Sequence, residues 1–176
     1  MNSSHSMSIV LAMHGATPND LTEAERVAYF RLRAQLHAST LDNQAAVQRE
    51  HDALDAKIRN WPRTRENDPF HAGSQDLANA LRRAIGCPVI VGFNEFCAPD
   101  LDMALDQAAH LPRPMILVVT PMMTVGGGHA GGDLPAAIQR AQARYPNRQI
   151  RYAWPFPTTE IARFLAEQIL AFVPHA

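Results

Sequence analysis

The sequence predicts an α/β fold on a four-stranded parallel sheet. Four short apolar runs, Ser8–Met13, Val89–Phe96, Met115–Thr120 and Gln149–Trp154, alternate with helical patterns. The links between them are short, so consecutive strands join through crossover units and run parallel. A length of 176 residues suits one domain of this kind, and a hydrophobic content of 47% supplies its core.

Ile9, Val10 and Leu11 make the first strand buried, and it runs straight into His14-Gly15. Thr17-Pro18-Asn19-Asp20 is turn chemistry, and Thr22 with Glu25 forms a capping box. Leu21, Ala28, Leu32 and Leu36 then recur at helical spacing as far as His37. Ser39 to Asn43 breaks the pattern. A second helix follows with a thin apolar stripe (Val47, Leu54, Ile58, Trp61), which predicts an antiparallel hairpin projecting from the core. Pro62 ends it, and Arg63 to Pro69 is a polar connector. Residues 19–68 thus read as a helical insertion after the first strand, within a single domain of residues 1–176.

A helix from His71 to Ile85 stops at Gly86, a residue suited to the C′ position. Val89 to Phe96 is a strand broken by Pro99. Leu101, Ala104, Leu105 and Ala108 share one face of the next helix, Leu101 to Ala109. Met115 to Thr120 is the most apolar run and reads as a central strand buried on both faces. The glycine-rich loop Gly126–Gly132 leads to Asp133, read as the cap of a helix with Pro135 in its first turn. After the strand Gln149–Trp154, Thr158 or Thr159 caps a last helix ending near Phe172.

Sixteen basic and seventeen acidic residues leave a net charge of −1, with no basic stripe for nucleic acid and no polybasic membrane patch. No apolar run has the length to span a bilayer. Met1 to Met7 is polar and does not read as a secretory signal. Cys87 and Cys97 have neither a redox-pair nor an iron–sulfur spacing, so the expected compartment is the reducing cytoplasm and no iron–sulfur cluster is expected.

Ligands of open parallel sheets bind at the carboxyl ends of the strands. His14, Glu95 and His129 fall there, and two imidazoles with a carboxylate suit a divalent first-row metal with open positions. Each also has a plainer reading. His14 fits a loop residue bonded to backbone, and His129 fits a turn made flexible by its glycines. Glu95, flanked by Phe93 and Phe96, fits a buried carboxylate paired with Arg82 or Lys57. Cys97 reads as a small buried hydrophobe. Met122 and Met123, at a strand end, suit either core packing or contact with a macrocycle, and Gly127 and Gly128 allow a bulky ligand close to the backbone. The remaining histidines (His5, His37, His51, His71, His110, His175) read as solvated. The loop lacks the GK[ST] ending of a phosphate-binding loop, and no serine or cysteine sits in a nucleophile elbow, which argues against a hydrolase.

Three blocks carry a family resemblance: Val10-Leu11-Ala12-Met13-His14-Gly15-Ala16, Val91 through Glu95 to Pro99, and Pro121-Met122-Met123 through Gly127-Gly128-His129 to Asp133-Leu134-Pro135. They resemble the CbiX-type sirohydrochlorin chelatases, small class II chelatases of cobalamin and siroheme biosynthesis. The resemblance implies a flavodoxin-like half-domain with strand order 2-1-3-4. It also implies metal binding by His14 and His129 with Glu95 as acidic partner, and a homodimer whose second subunit supplies the other wall of the cleft. Two departures stand out: the insertion at 19–68, absent from minimal members, and Cys97 in place of an apolar residue.

The expected function is therefore a lyase activity inserting a divalent metal (cobalt favoured, nickel or iron as alternatives) into a sirohydrochlorin-like tetrapyrrole, without an organic cofactor. His14, His129 and Glu95 would serve as ligands and proton acceptors, with Met122, Met123, Gly127 and Gly128 near the substrate. Arg63, Arg65, Arg82 and Arg83 are candidate clamps for its carboxylates. The rival expectation is a metal or tetrapyrrole carrier or sensor of the same fold that lacks turnover.

Overall fold

The computed structural model describes residues 6–38 and 44–173. The elements run β1 (Met7–Met13), α1 (Glu23–His37), α2 (Gln44–Arg59), α3 (Pro69–Ile85), β2 (Val89–Phe93), α4 (Leu101–His110), β3 (Met115–Val119), α5 (Leu134–Arg144), β4 (Gln149–Tyr152) and α6 (Thr158–Ala171). The sheet is parallel with order β2-β1-β3-β4, as the resemblance implied. The break expected at Ser39 to Asn43 lies outside the described residues.

Side chains alternate across β1 and divide the core into two layers. Val10 and Ala12 face α4 and α5, packing with Leu101, Leu105, Ile116, Val118 and Leu134. Ile9, Leu11 and Met13 face the other way, onto α3 and the insertion. The predicted caps are in place at Thr22, whose capping box with Glu25 is complete, and at Gly86, which is left-handed at φ 72°. The last helix differs: Pro157 stands at its N-cap and no side chain caps it.

β2 is shorter than the apolar pattern suggests. It ends at Phe93 because the next two amides turn to the end of β1. Asn94 N–H donates to Met13 O at 2.8 Å and Glu95 N–H to His14 O at 2.8 Å, and Phe96 adopts a left-handed φ of 60°. Glu95 therefore sits in a loop beside His14, not within a strand.

The insertion is no free projection. Ile58 is fully buried and Tyr29 nearly so, and both belong to the core cluster built on β1 and β2. The Tyr29 hydroxyl donates to Asp55 Oδ1 at 2.9 Å across the hairpin, and its ring packs on Phe96 with centroids 5.6 Å apart. The thin stripe suffices because the docking is partly polar. Arg63, read from sequence as a substrate clamp, is buried at the foot of the hairpin. It donates to Asp68 Oδ2 (2.5 Å), Ala16 O (2.9 Å), Ile58 O (2.7 Å) and Phe96 O (2.5 Å). Asp68 in turn caps α3 by accepting from His71 N–H at 2.8 Å.

Replacing Arg63 by Met leaves Asp68 without its buried countercharge and removes a donor from the carbonyls of Ala16, Ile58 and Phe96. The expected cost is about 3–5 kcal/mol of stability, read as a lowered urea midpoint at an unchanged m-value.

Candidate metal centre

β1 delivers His14 at the carboxyl edge of the sheet, and Gly15 follows at φ +101°. A Cβ at position 15 would lie 1.8 Å from Glu95 O, so only glycine lets the His14 and Glu95 loops close on each other. Nδ1 of His14 lies 2.9 Å from Gly15 O. A carbonyl can only accept, so the proton belongs on Nδ1 and the Nε2 lone pair is free. Nε2 is 3.9 Å from Glu95 Oε2.

His129 arrives from the other side. The end of the glycine-rich loop is wound into a π-helical turn, His129–Asp133, that runs directly into α5, with Leu134 N–H bonded to His129 O. Such turns are frequent at functional sites. Here the turn sets Asp133 beside the ring of His129, with Oδ2 2.6 Å from Nδ1. Asp133 was expected to cap the helix, but it makes no capping hydrogen bond. Its carboxylate can only accept, which favours a proton on His129 Nδ1, whereas the Asn94 amide nitrogen, 2.6 Å from the same Nδ1, competes for that atom as a donor. The Asn94 amide adds a donor to the same carboxylate at 3.3 Å. These bonds, His129 first, hold the Asp133 carboxyl below the ordinary carboxylate range.

The two imidazole rings meet edge to face, with centroids 4.7 Å apart and planes at 83°. His14, Glu95 and His129 each offer a ligating atom within 4.8 Å of the others. The structure thus brings together the three residues singled out at the strand ends. His14 is the open side of the cluster, its side chain 43% exposed against 13% for Glu95.

Glu95 is paired neither with Arg82 nor with Lys57. Arg33, from α1 of the insertion, donates to Oε1 at 2.5 Å. Sequence reasoning missed it, and with sixty-two positions between the partners no local spacing signals the pair. The missed signal at Asp133 was legible: H-x-x-x-D places both side chains on one helical face. A cleft of about 510 Å³ opens beside Glu95 between the insertion and the start of α5, with Tyr29, Arg33, Asn94, Asp133 and Arg140 among its walls.

Other expected residues lie elsewhere. Met122 packs against the α4–α5 layer, and its carbonyl accepts from Trp154 Nε1 at 3.1 Å. Gly127 and Gly128 precede His129 with open space around them, and the partly buried Met123 lies in the same loop. Cys97 is fully buried in the core cluster, its thiol pushed up by desolvation, with Sγ 3.5 Å from Ala16 O and 3.7 Å from Asp68 Oδ2. Arg65 pairs with Asp76 on the surface, while Arg82 and Arg83 lie in the last turn of α3, at the opposite end of the sheet. Two histidines read as solvated are packed: His71 stacks on Phe93 at 5.2 Å and His51 lies against Tyr29 at 5.1 Å. His5 and His175 fall outside the described residues. Among the described residues no helix is long and apolar enough to cross a membrane.

The CbiX family model matches residues 65–171. Among solved structures, the chain is similar to a putative cobalamin (vitamin B12) biosynthesis CbiX protein from Marinobacter aquaeolei VT8. The two are 18% identical, with a TM-score of 0.51 over 95% of this chain and 99% of that one, a likeness of fold. A sirohydrochlorin chelatase SirB from Bacillus subtilis subspecies spizizenii, in complex with cobalt, is 15% identical with a TM-score of 0.42; the match covers 85% of this chain and 43% of that one. No curated protein matches. The family match spans more than half of the sequence and contains two of its three motif blocks, and the chain belongs to the CbiX family of sirohydrochlorin metal chelatases.

Proposed function

We propose that this protein inserts a divalent metal, cobalt in preference to nickel or iron, into a sirohydrochlorin-like tetrapyrrole, with His14, His129 and Glu95 as metal ligands and proton acceptors. The observation that carries this reading is the convergence of three ligating atoms within 4.8 Å at the carboxyl edge of a parallel sheet. His14 keeps its proton on Nδ1 against the Gly15 carbonyl, which leaves its Nε2 lone pair free, and Nε2 lies 3.9 Å from Glu95 Oε2.

The metal is a substrate here, held briefly and passed on. For each of two ring nitrogens an N–H bond breaks and an N–metal bond forms. The two protons leave to bases at the site, the imidazole nitrogens freed as the metal departs or the Glu95 carboxylate, and then to water. A cleft that favours a distorted macrocycle would expose the nitrogen lone pairs and lower the barrier. One chelatase-like domain over residues 1–176, with 19–68 as an insertion, and a cytoplasmic location belong to the same reading. The unpaired thiols of Cys87 and Cys97 support that location.

A homodimer belongs to it too. α6 has no buried residue and exposes Phe164, Leu165, Ile169 and Leu170, with Phe172 just beyond its end. On the α3 side of the sheet, α3 packs on β2, and among the described residues no helix on that side makes a comparable contact with β3 or β4. An unseated apolar helix and an uncovered strip of sheet on one chain fit reciprocal packing between two copies.

An absorbance assay of metal insertion, run across several metals and tetrapyrroles, tests the activity. His14→Ala with His129→Ala is expected to lower turnover by about 10²-fold or more while the far-ultraviolet circular dichroism is kept. Full turnover in that double variant rejects the ligand assignment, and stoichiometric binding without turnover in the native chain favours a carrier or sensor. Asp133→Asn should cost about 10–100-fold in metal affinity or rate, as loss of a ligand-orienting carboxylate does. The Asp133 carboxyl is held low, so it stays ionised in mild acid. For the dimer, light scattering should give twice the 19.4 kDa chain mass. Leu165→Glu with Ile169→Glu should shift it to the monomer; a monomeric native chain removes this part of the proposal.

A further inference from the structure

The insertion does more than wall the cleft. Its Arg33 reaches the one acidic member of the metal cluster and donates to Glu95 Oε1 at 2.5 Å, leaving Oε2 on the side of His14. Arg33 is itself half-buried, its side chain 35% exposed. The bond to Glu95 raises its pKa, and the guanidinium is close enough to Asp133 to help hold that carboxylate ionised. A fixed positive charge therefore stands beside the carboxylates next to the site, where a divalent cation has to sit. It also occupies the oxygen that a bidentate carboxylate would use.

We propose that Arg33 is a positioning residue that keeps the metal site deliberately weak. It confines Glu95 to a single ligating oxygen and opposes the charge of the cation, so that metal leaves for the tetrapyrrole instead of resting on the protein. This rests on the metal-insertion reading above. The physical reason is that a substrate metal held too tightly deepens the ground state without lowering the barrier to transfer. One carboxylate oxygen and two imidazoles also leave coordination positions open for ring nitrogens, as catalytic sites require.

The test is cobalt(II) affinity of the full chain, measured by competition with a chromophoric chelator, together with the single-turnover rate of transfer to sirohydrochlorin. Arg33→Met and Arg33→Gln both remove the charge, the second keeping a donor. Each is expected to bind cobalt about tenfold tighter or more and to transfer it more slowly. Arg33→Lys, which keeps the charge, should restore both values toward those of the native chain. A residue that only docks the insertion would leave affinity unchanged or lower it on removal, so unchanged or weaker binding in the Met and Gln variants overturns the proposal. Cobalt binding by the native chain that is indifferent to His14→Ala with His129→Ala would instead reject the site itself.

Discussion

Arg63 bonds to neither His14 nor Glu95, yet the loops that carry both are tied to it. Its guanidinium reaches the carbonyl of Ala16, two residues past His14, the carbonyl of Phe96, next to Glu95, and the carbonyl of Ile58, near the end of α2. Asp68 supplies the countercharge from the foot of α3. A buried guanidinium is costly unless its donors are matched. Here four acceptors from four segments take up the donors of the two terminal nitrogens, while Nε stays buried without a partner, so those segments share one fixed point. The loop of His14, the loop of Glu95 and the helix hairpin that carries Arg33 are held to a common frame by one side chain.

Topology does the rest. Order 2-1-3-4 puts β1 between β2 and β3, so the loop of His14 emerges between those of Glu95 and His129. Parallel pairing sets Met13 opposite Phe93, which brings the chain after β2 level with the end of β1. Gly15 then permits contact: its missing side chain is the space that the Glu95 carbonyl fills. On the other flank His129 and Asp133, four residues apart in a π-helical turn, lie on the same side and bond to each other. Three residues far apart in sequence converge because each follows a strand and the strands are neighbours.

That explains what was legible in the sequence. Strand ends announce themselves by hydrophobic runs that stop at polar residues, so His14, Glu95 and His129 could be read off together with the capping box at Thr22 and the stop at Gly86. Interactions without periodicity could not. Arg63 looks like any surface arginine of a polar connector, and only the closing of three loops around it makes it internal. Arg33 is one cation among several on an amphipathic helix, and its partner is fixed by docking. The stripe of α2 looked too thin for a core layer because the Tyr29–Asp55 bond and the Arg63 contacts were not visible as hydrophobicity. Asp133 fitted two local roles, a helix cap and a partner four residues from His129, and the π-helical turn decided between them.

On the proposed metal-insertion reading, the charges around the centre bear on the direction of transfer. With both imidazoles neutral, the groups nearest the site are two carboxylates, Glu95 and Asp133, and one guanidinium, Arg33, a net charge of −1. A divalent cation makes that +1. When the cation enters the macrocycle and two protons come off the ring nitrogens, the ring's charge is unchanged; if both protons stay, the site is again at +1. The groups left behind therefore see the same total before and after transfer, with two protons on nitrogen and carboxylate oxygen in place of one metal ion. Asp133 can stay ionised throughout, because its bonds from His129 and Asn94 favour the charged form. Exchange at constant charge avoids a large change in solvation within a partly buried site, where such changes cost most.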